Sequence, residues 1–104
     1  MIFIETSLFS RVLPEYLSDE EFRGLQGYLM ERPDAGVIIQ RSGGIRKLRW
    51  AAGGKGKSGG VRVIYYWFKA DDQIVLLTLY GKSEKADLSA AELKQIVKLI
   101  GELK

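Results

Sequence analysis

Nine side chains could do chemistry in this sequence: Lys47, Arg49, Lys55, Lys57, Arg62, Tyr66, Tyr80, Lys82 and Lys85. All are cationic or phenolic. There is no histidine and no cysteine, so the usual general base, the commonest metal ligand and thiolate sites are excluded. Acid–base work would fall to lysine, tyrosine, serine or a carboxylate, and the surplus of guanidinium and ammonium groups points to recognition of a polyanion.

Arg62 heads an apolar run, Val61 to Lys69, in which alternation puts Arg62, Ile64, Tyr66 and Phe68 on one face and Val61, Val63, Tyr65 and Trp67 on the other. A charge there must meet water or an anion, because burying it unpaired is costly. A guanidinium suits a phosphate, to which its fork donates two parallel hydrogen bonds. A salt bridge to an acid such as Glu5 would satisfy it equally well. Lys55 and Lys57 stand in the glycine-rich segment Gly53 to Gly60, where the backbone lets them reach a phosphate at little steric cost, or simply closes a hairpin. Gly56-Lys57-Ser58 matches the end of a nucleotide-binding P-loop. The glycine that motif needs five residues earlier is Ala51, and a strand follows rather than a helix, so a nucleotide-triphosphate site is rejected.

Tyr80-Gly81-Lys82-Ser83-Glu84-Lys85 closes the last apolar run. Alternation places Thr78, Tyr80 and Lys82 on one face. If that is also the face of Arg62, Lys47 and Arg49, the cations converge on one concave site. Otherwise Lys82 and Lys85 are surface lysines in a turn. Tyr66 and Tyr80 share the cations' expected face and are the candidates for base stacking, whereas Trp50, Tyr65, Trp67 and Phe68 are expected mainly in the core.

The charge pattern agrees. Residues 1–44 carry seven acids and four bases, residues 45–85 nine bases and three acids, and no acid falls between Asp34 and Asp71. So long a stretch of one sign suits a polyanionic partner, although a basic edge that discourages sheet association has the same composition. The chain's 104 residues, 46% apolar and 28% charged, suit one globular domain spanning 1–104 with one core. No apolar run approaches the roughly 20 residues of a membrane span, and Met1 to Glu5 lacks the basic start of a signal peptide, so a cytoplasmic location is expected.

The elements that must position these residues read as β, α, α, β, β, β, α. Ile2 to Ile4 is a first strand and Ser7 to Leu17 a short helix limited by Pro14. Ser18 and Glu21 form a capping box that opens a second helix, stopped at Arg32-Pro33-Asp34. Gly36 to Gln40 is a connection with room for a partly extended stretch, and Ser42-Gly43-Gly44 is a turn. Ile45 to Ala51 is a strand, with Leu48 and Trp50 opposite Lys47 and Arg49. Val61 to Lys69 and Ile74 to Lys82 form a hairpin around Asp71-Asp72. Ser89 and Glu92 repeat the capping box before a helix with an apolar stripe from Leu93 to Leu103. The expected fold class is α+β: a small antiparallel sheet of three to four strands covered on one face by all three helices.

Gly60-Val61-Arg62-Val63-Ile64-Tyr65-Tyr66, the hydrophobic strand after it, and Leu79-Tyr80-Gly81-Lys82-Ser83-Glu84-Lys85 with the last helix resemble the RelE/ParE toxin superfamily over nearly the whole chain. Gly44-Ile45-Arg46-Lys47-Leu48-Arg49-Trp50-Ala51 and the glycine–lysine loop are most similar to its HigB-like branch. The resemblance implies the toxin of a type II toxin–antitoxin pair, a ribosome-dependent endoribonuclease that cuts mRNA in the A site without a metal or other cofactor. It implies as partners the ribosome, mRNA and a cognate antitoxin, expected to be a helix-turn-helix protein from an adjacent gene. It assigns Arg62 to the scissile phosphate, Lys55 or Lys57 as general base, and Lys82 and Lys85 to the basic run after the last strand. Lys47, Arg49, Tyr66 and Tyr80 are the RNA-binding candidates. Two positions depart from the RelE pattern: Ser89 stands near that family's catalytic tyrosine, and Ser83 where an arginine follows its Gly-Lys. A ParE-like gyrase inhibitor and a noncatalytic RNA- or ribosome-binding module remain as alternatives.

Overall fold

The computed structural model describes residues 1–51 and 60–103. Lys55 and Lys57 lie outside the described residues. The elements run β1 (Ile2–Glu5), α1 (Ser7–Tyr16), α2 (Asp19–Glu31), β2 (Val37–Ile38), β3 (Arg46–Trp50), β4 (Val61–Phe68), β5 (Gln73–Gly81) and α3 (Ala90–Leu103). The fold is α+β. Its sheet has five strands in the order β1-β5-β4-β3-β2, and it is mixed, because β1 runs parallel to β5 while the other neighbours are antiparallel.

The helices start where side chains satisfy their first N–H groups. The Thr6 hydroxyl accepts from the Phe9 N–H at 3.0 Å and donates to the Leu77 carbonyl at 2.8 Å, so the cap of α1 is also its tie to β5. Ser18 and Glu21 form the expected reciprocal box, and three acids in the first turn complement the dipole of α2. Ser89 and Glu92 do the same for α3, with bonds of 2.9 and 3.1 Å.

The sheet is larger than expected, and its coverage is different. Val37–Ile38, in the stretch expected as a partly extended connection, pairs with Arg46–Lys47 as an edge strand too short for any alternation to show. Two apolar clusters lie on opposite faces of the sheet. On one, Phe9, Leu17, Leu25 and Leu29 from the α1–α2 segment meet Val61, Val63, Tyr65, Ile74 and Leu76. On the other, Ile96 and Ile100 of α3 meet Ile45, Ile64, Val75 and Leu77. The last helix therefore covers the opposite face from the first two. The physical reason is in the central strands: Ile74 to Leu77 are buried without interruption, as a strand covered on both faces must be.

The β4–β5 register holds the key irregularity. Tyr65 pairs with Leu76 but Ile64 with Thr78, so β5 carries one extra residue there. Such a bulge flips which side chains beyond it share a face with the partner strand. Continuing the earlier register would set Leu79 opposite Arg62. With the bulge, Tyr80 is opposite Arg62.

Candidate functional site

Three strands meet in one transverse row: Arg49 on β3 pairs with Arg62 on β4, and Arg62 with Tyr80 on β5. Paired residues of neighbouring strands share a face, and the row lies on the face of α3, since Tyr80 belongs to that helix's apolar cluster. Lys47 stands two residues before Arg49 on the same face, opposite Ile64. Lys47, Arg49, Arg62 and Tyr80 thus share one face of the sheet. Two arginines directly opposed on adjacent strands repel each other, and one of them, Arg62, is only 7% exposed. Two neighbouring guanidinium groups offer an anion several charge-assisted donors at once.

The segment between β5 and α3 folds over this row. Lys85 Nζ lies 5.0 Å from the centroid of the Tyr80 ring and 2.6 Å from Glu92 Oε2. Lys47 Nζ donates to Asp87 Oδ1 at 2.5 Å. The hydrogen bond and charge of Lys47 hold the Asp87 carboxyl below its ordinary 3.8, and Arg62 adds to this more weakly. Glu92 is held below 4.5 by its bond from Lys85 and by the Ser89 N–H. Both acids are therefore ionised at neutral pH and occupy the two lysines.

Tyr80 is 4% exposed, so its ring lies beneath Lys85 rather than open for stacking. Its buried hydroxyl has no hydrogen-bond partner among the described residues. Burial raises its pKa, with Asp87 adding to the effect and Arg62 opposing it.

Glu84 braces the turn. It accepts the Gly81 N–H at 2.9 Å and the Tyr16 hydroxyl, tying the end of β5 to α1. Burial and this carboxylate push the Tyr16 pKa up to about 12. Across the row, the Lys82 N–H donates to the Gly60 carbonyl at 3.2 Å. Gly60 has φ +65°, and a Cβ there would stand 2.2 Å from the Trp50 carbonyl oxygen. The ends of the segment carrying Lys55 and Lys57, at Ala51 and Gly60, consequently adjoin the Arg49–Arg62 pair, which is followed by Trp50 opposite Val61.

Lys82 is exposed at the end of β5, beside this row. Tyr66 is not brought to it. Tyr66 is four residues from Arg62, about 13 Å along β4, and packs edge-on against Phe68 with centroids 4.7 Å apart. Asp87 and Glu92 were absent from the expected set. Glu92 was legible only as a helix cap, and Asp87 only as an acid flanking a basic run.

No group of acids able to hold a metal ion occurs among the described residues, and no described helix is long and apolar enough to cross a membrane. What the site offers is guanidinium and ammonium donors around a buried phenol, a set that can bind a phosphodiester and stabilise added charge on it. A family model described as RelE toxin of RelE / RelB toxin-antitoxin system matches residues 8–104. That match covers the whole arginine row, its bracing turn and all three helices except Ser7, and the chain therefore belongs to the RelE family, the toxins of toxin–antitoxin systems with a RelB-type antitoxin as partner.

Proposed function

We propose that this toxin is a ribosome-dependent endoribonuclease that cuts mRNA in the ribosomal A site, acting as one cytoplasmic RelE-like domain of the HigB-like kind. The opposed pair Arg49–Arg62, one member buried beside Tyr80, is the observation that supports it most. A ribose 2′-hydroxyl attacks the adjacent phosphorus. Its proton passes to a lysine, Lys55 or Lys57, the P–O5′ bond breaks, and the departing 5′-oxygen takes up a proton. The products are a 2′,3′-cyclic phosphate and a 5′-hydroxyl. Arg62, with Arg49 and Lys82, carries the charge that accumulates on the phosphoryl oxygens. A lysine ordinarily titrates near 10.4, and neighbouring cations lower that value toward the range of a useful base. The ribosome supplies alignment of the RNA. A helix-turn-helix antitoxin encoded nearby would oppose the toxin, its acidic groups suited to the basic site.

The test is inducible expression in bacteria with mapping of mRNA 5′ ends, for wild type and Arg62→Ala, with circular dichroism to establish that the variant folds. Cuts inside translated codons that vanish in folded R62A are expected. Growth arrest with intact messages would instead favour a gyrase-directed or purely binding toxin.

A further inference from the structure

The two edges of the sheet are built differently. The β2 edge is two residues long and lies beside Arg46, Lys47 and Arg49 of β3, and short, charged edges resist pairing with another chain. At the opposite edge β1 has four residues and neither a proline nor a basic side chain. Ile2 donates its N–H inward to the Asp72 carbonyl at 3.1 Å, and Thr6 does the same to Leu76 at 3.1 Å. Alternate residues of β1, from Ile2 through Ile4 to Thr6, thus spend their backbone groups on β5. The N–H and C=O groups of Phe3 and Glu5 face outward, where no described strand lies.

The side chains beside this edge are apolar and open to solvent. Ile2 is 57% exposed and Ile4 40%, and on α3 Leu99 is 36% and Leu103 52% exposed. Ile4 and Leu103 line one groove of about 110 Å³ with Phe68 and Val75, so strand and helix present one continuous surface. Its rim carries Glu5, Asp71 and Asp72, which disfavour RNA and any acidic peptide. The edge is also self-complementary. About a two-fold axis at Ile4, Phe3 of one copy faces Glu5 of the other, and each such pair exchanges both its N–H···O bonds. Ile4 then meets its own counterpart on the α3 side of the sheet. The two Arg62 residues stand five strand spacings apart, about 24 Å, well beyond the roughly 8 Å over which salt screens charge. Repulsion between the basic sites therefore does not oppose the union.

We infer that β1 is a homodimer interface: two copies of this toxin join edge to edge as antiparallel strands centred on Ile4, with their basic sites turned outward. The inference is independent of whether the toxin cuts RNA. Few apolar side chains line the contact, so association is reversible and concentration-dependent. Sedimentation equilibrium of the whole toxin, from micromolar to millimolar concentration, measures it. Ile4→Lys puts a charge at the axis and should weaken dimerisation roughly tenfold or more, the equivalent of about one buried isoleucine. Leu103→Glu should weaken it from the helix side, and Val37→Lys at the other edge should leave it unchanged. All three side chains are exposed, and circular dichroism establishes that the variants fold. Amide exchange followed by NMR should slow at Phe3 and Glu5 as concentration rises, while Ile2 and Thr6, already bonded, stay as they are. A monomer throughout the range overturns the inference, as does a dimer that Val37→Lys dissociates and Ile4→Lys does not. Dimerisation without slowing at Phe3 and Glu5 overturns the strand pairing. A monomeric wild type whose Ile4→Lys form no longer binds the antitoxin would give this edge to the antitoxin instead.

Discussion

Two buried tyrosines, Tyr65 and Tyr80, sit on opposite faces of one sheet and are treated in opposite ways. Tyr65 is fully buried, and its hydroxyl is satisfied twice, donating to the Pro33 carbonyl at 2.8 Å and accepting the Gly36 N–H at 2.9 Å. It joins β4 to the connection after α2, and Gly36 gives it room, since a Cβ there would come within 3.0 Å of its ring. Tyr80 is nearly as buried, but its hydroxyl has no described partner, and an arginine stands across the strand. On the face under α1 and α2 the Tyr65 hydroxyl is spent on holding the fold, although the Trp67 indole N–H is also buried there with no partner among the described residues. The face under α3 is left incomplete at one end, where two arginines pair across neighbouring strands beside a phenol with no partner among the described residues. What distinguishes this corner from the core is not an unmet hydrogen bond alone but an unmet hydrogen bond beside two arginines paired across neighbouring strands.

If that contrast is right, changes on the two faces separate activity from stability. The largest effect should come from Arg62→Ala, which removes the central charge-stabilising donor. A loss of roughly 10²–10³ in cleavage rate is expected, in line with deletion of one donor to a developing oxyanion. Primer-extension yield at a fixed cut site, in a variant shown to be folded, measures it. Arg62→Lys keeps the charge but not the fork and should recover only part of the rate. A folded R62A that cuts as fast as wild type would remove the distinction between the faces.

Next in size is Tyr65→Phe. It leaves the buried Gly36 N–H without its acceptor and should cost about 1–3 kcal/mol, seen as a lower midpoint in thermal or urea unfolding, with cleavage per folded molecule unchanged. Tyr80→Phe is the matched counterpart. Its hydroxyl has no described bond to lose, so stability should stay within about 0.5 kcal/mol of wild type. Any effect should fall on nucleotide affinity instead. Equal destabilisation by the two changes would mean that Tyr80 is as structural as Tyr65.

Much of this division could be read from the residues. The two capping boxes, Ser18 with Glu21 and Ser89 with Glu92, are local signals and appear where expected. The alternation along Val61 to Phe68 correctly put Arg62 with Ile64 and Tyr66, away from Tyr65, because burial on two faces imposes period two directly. Non-local pairings carried no such signal. A two-residue strand at Val37–Ile38 has no period, and the parallel pairing of β1 with β5 joins residues some seventy positions apart. The stripe on α3 identifies its buried residues but not which face of the sheet they meet. The unbroken apolar run Ile74-Val75-Leu76-Leu77 was the sign that both faces are covered. The site was legible as a set of cations and less so as a circuit. Nothing local reveals that Asp87 reaches Lys47 across forty residues, or that one bulge brings Tyr80 opposite Arg62.

The smallest expected effect concerns those carboxylates and has a definite sign. Asp87 and Glu92 have lower pKa values in the folded chain than their ordinary 3.8 and 4.5, so folding favours their ionised forms. Their contribution is complete above those ordinary values and disappears as pH falls through the depressed ones. Both side chains are more than a third exposed, and solvent screening keeps the contribution modest. Thermal midpoints of wild type and Asp87→Asn/Glu92→Gln should differ slightly at pH 7 and converge by ~pH 2. Glutamine retains an acceptor for the Ser89 N–H, so loss of the helix cap does not confuse the comparison. The same protonation frees Lys47 and Lys85, so phosphate affinity should rise as the stability advantage falls. A stability gap that persists in acid would mean that the two acids act through packing rather than charge, and that the α3 face is as closed as the other.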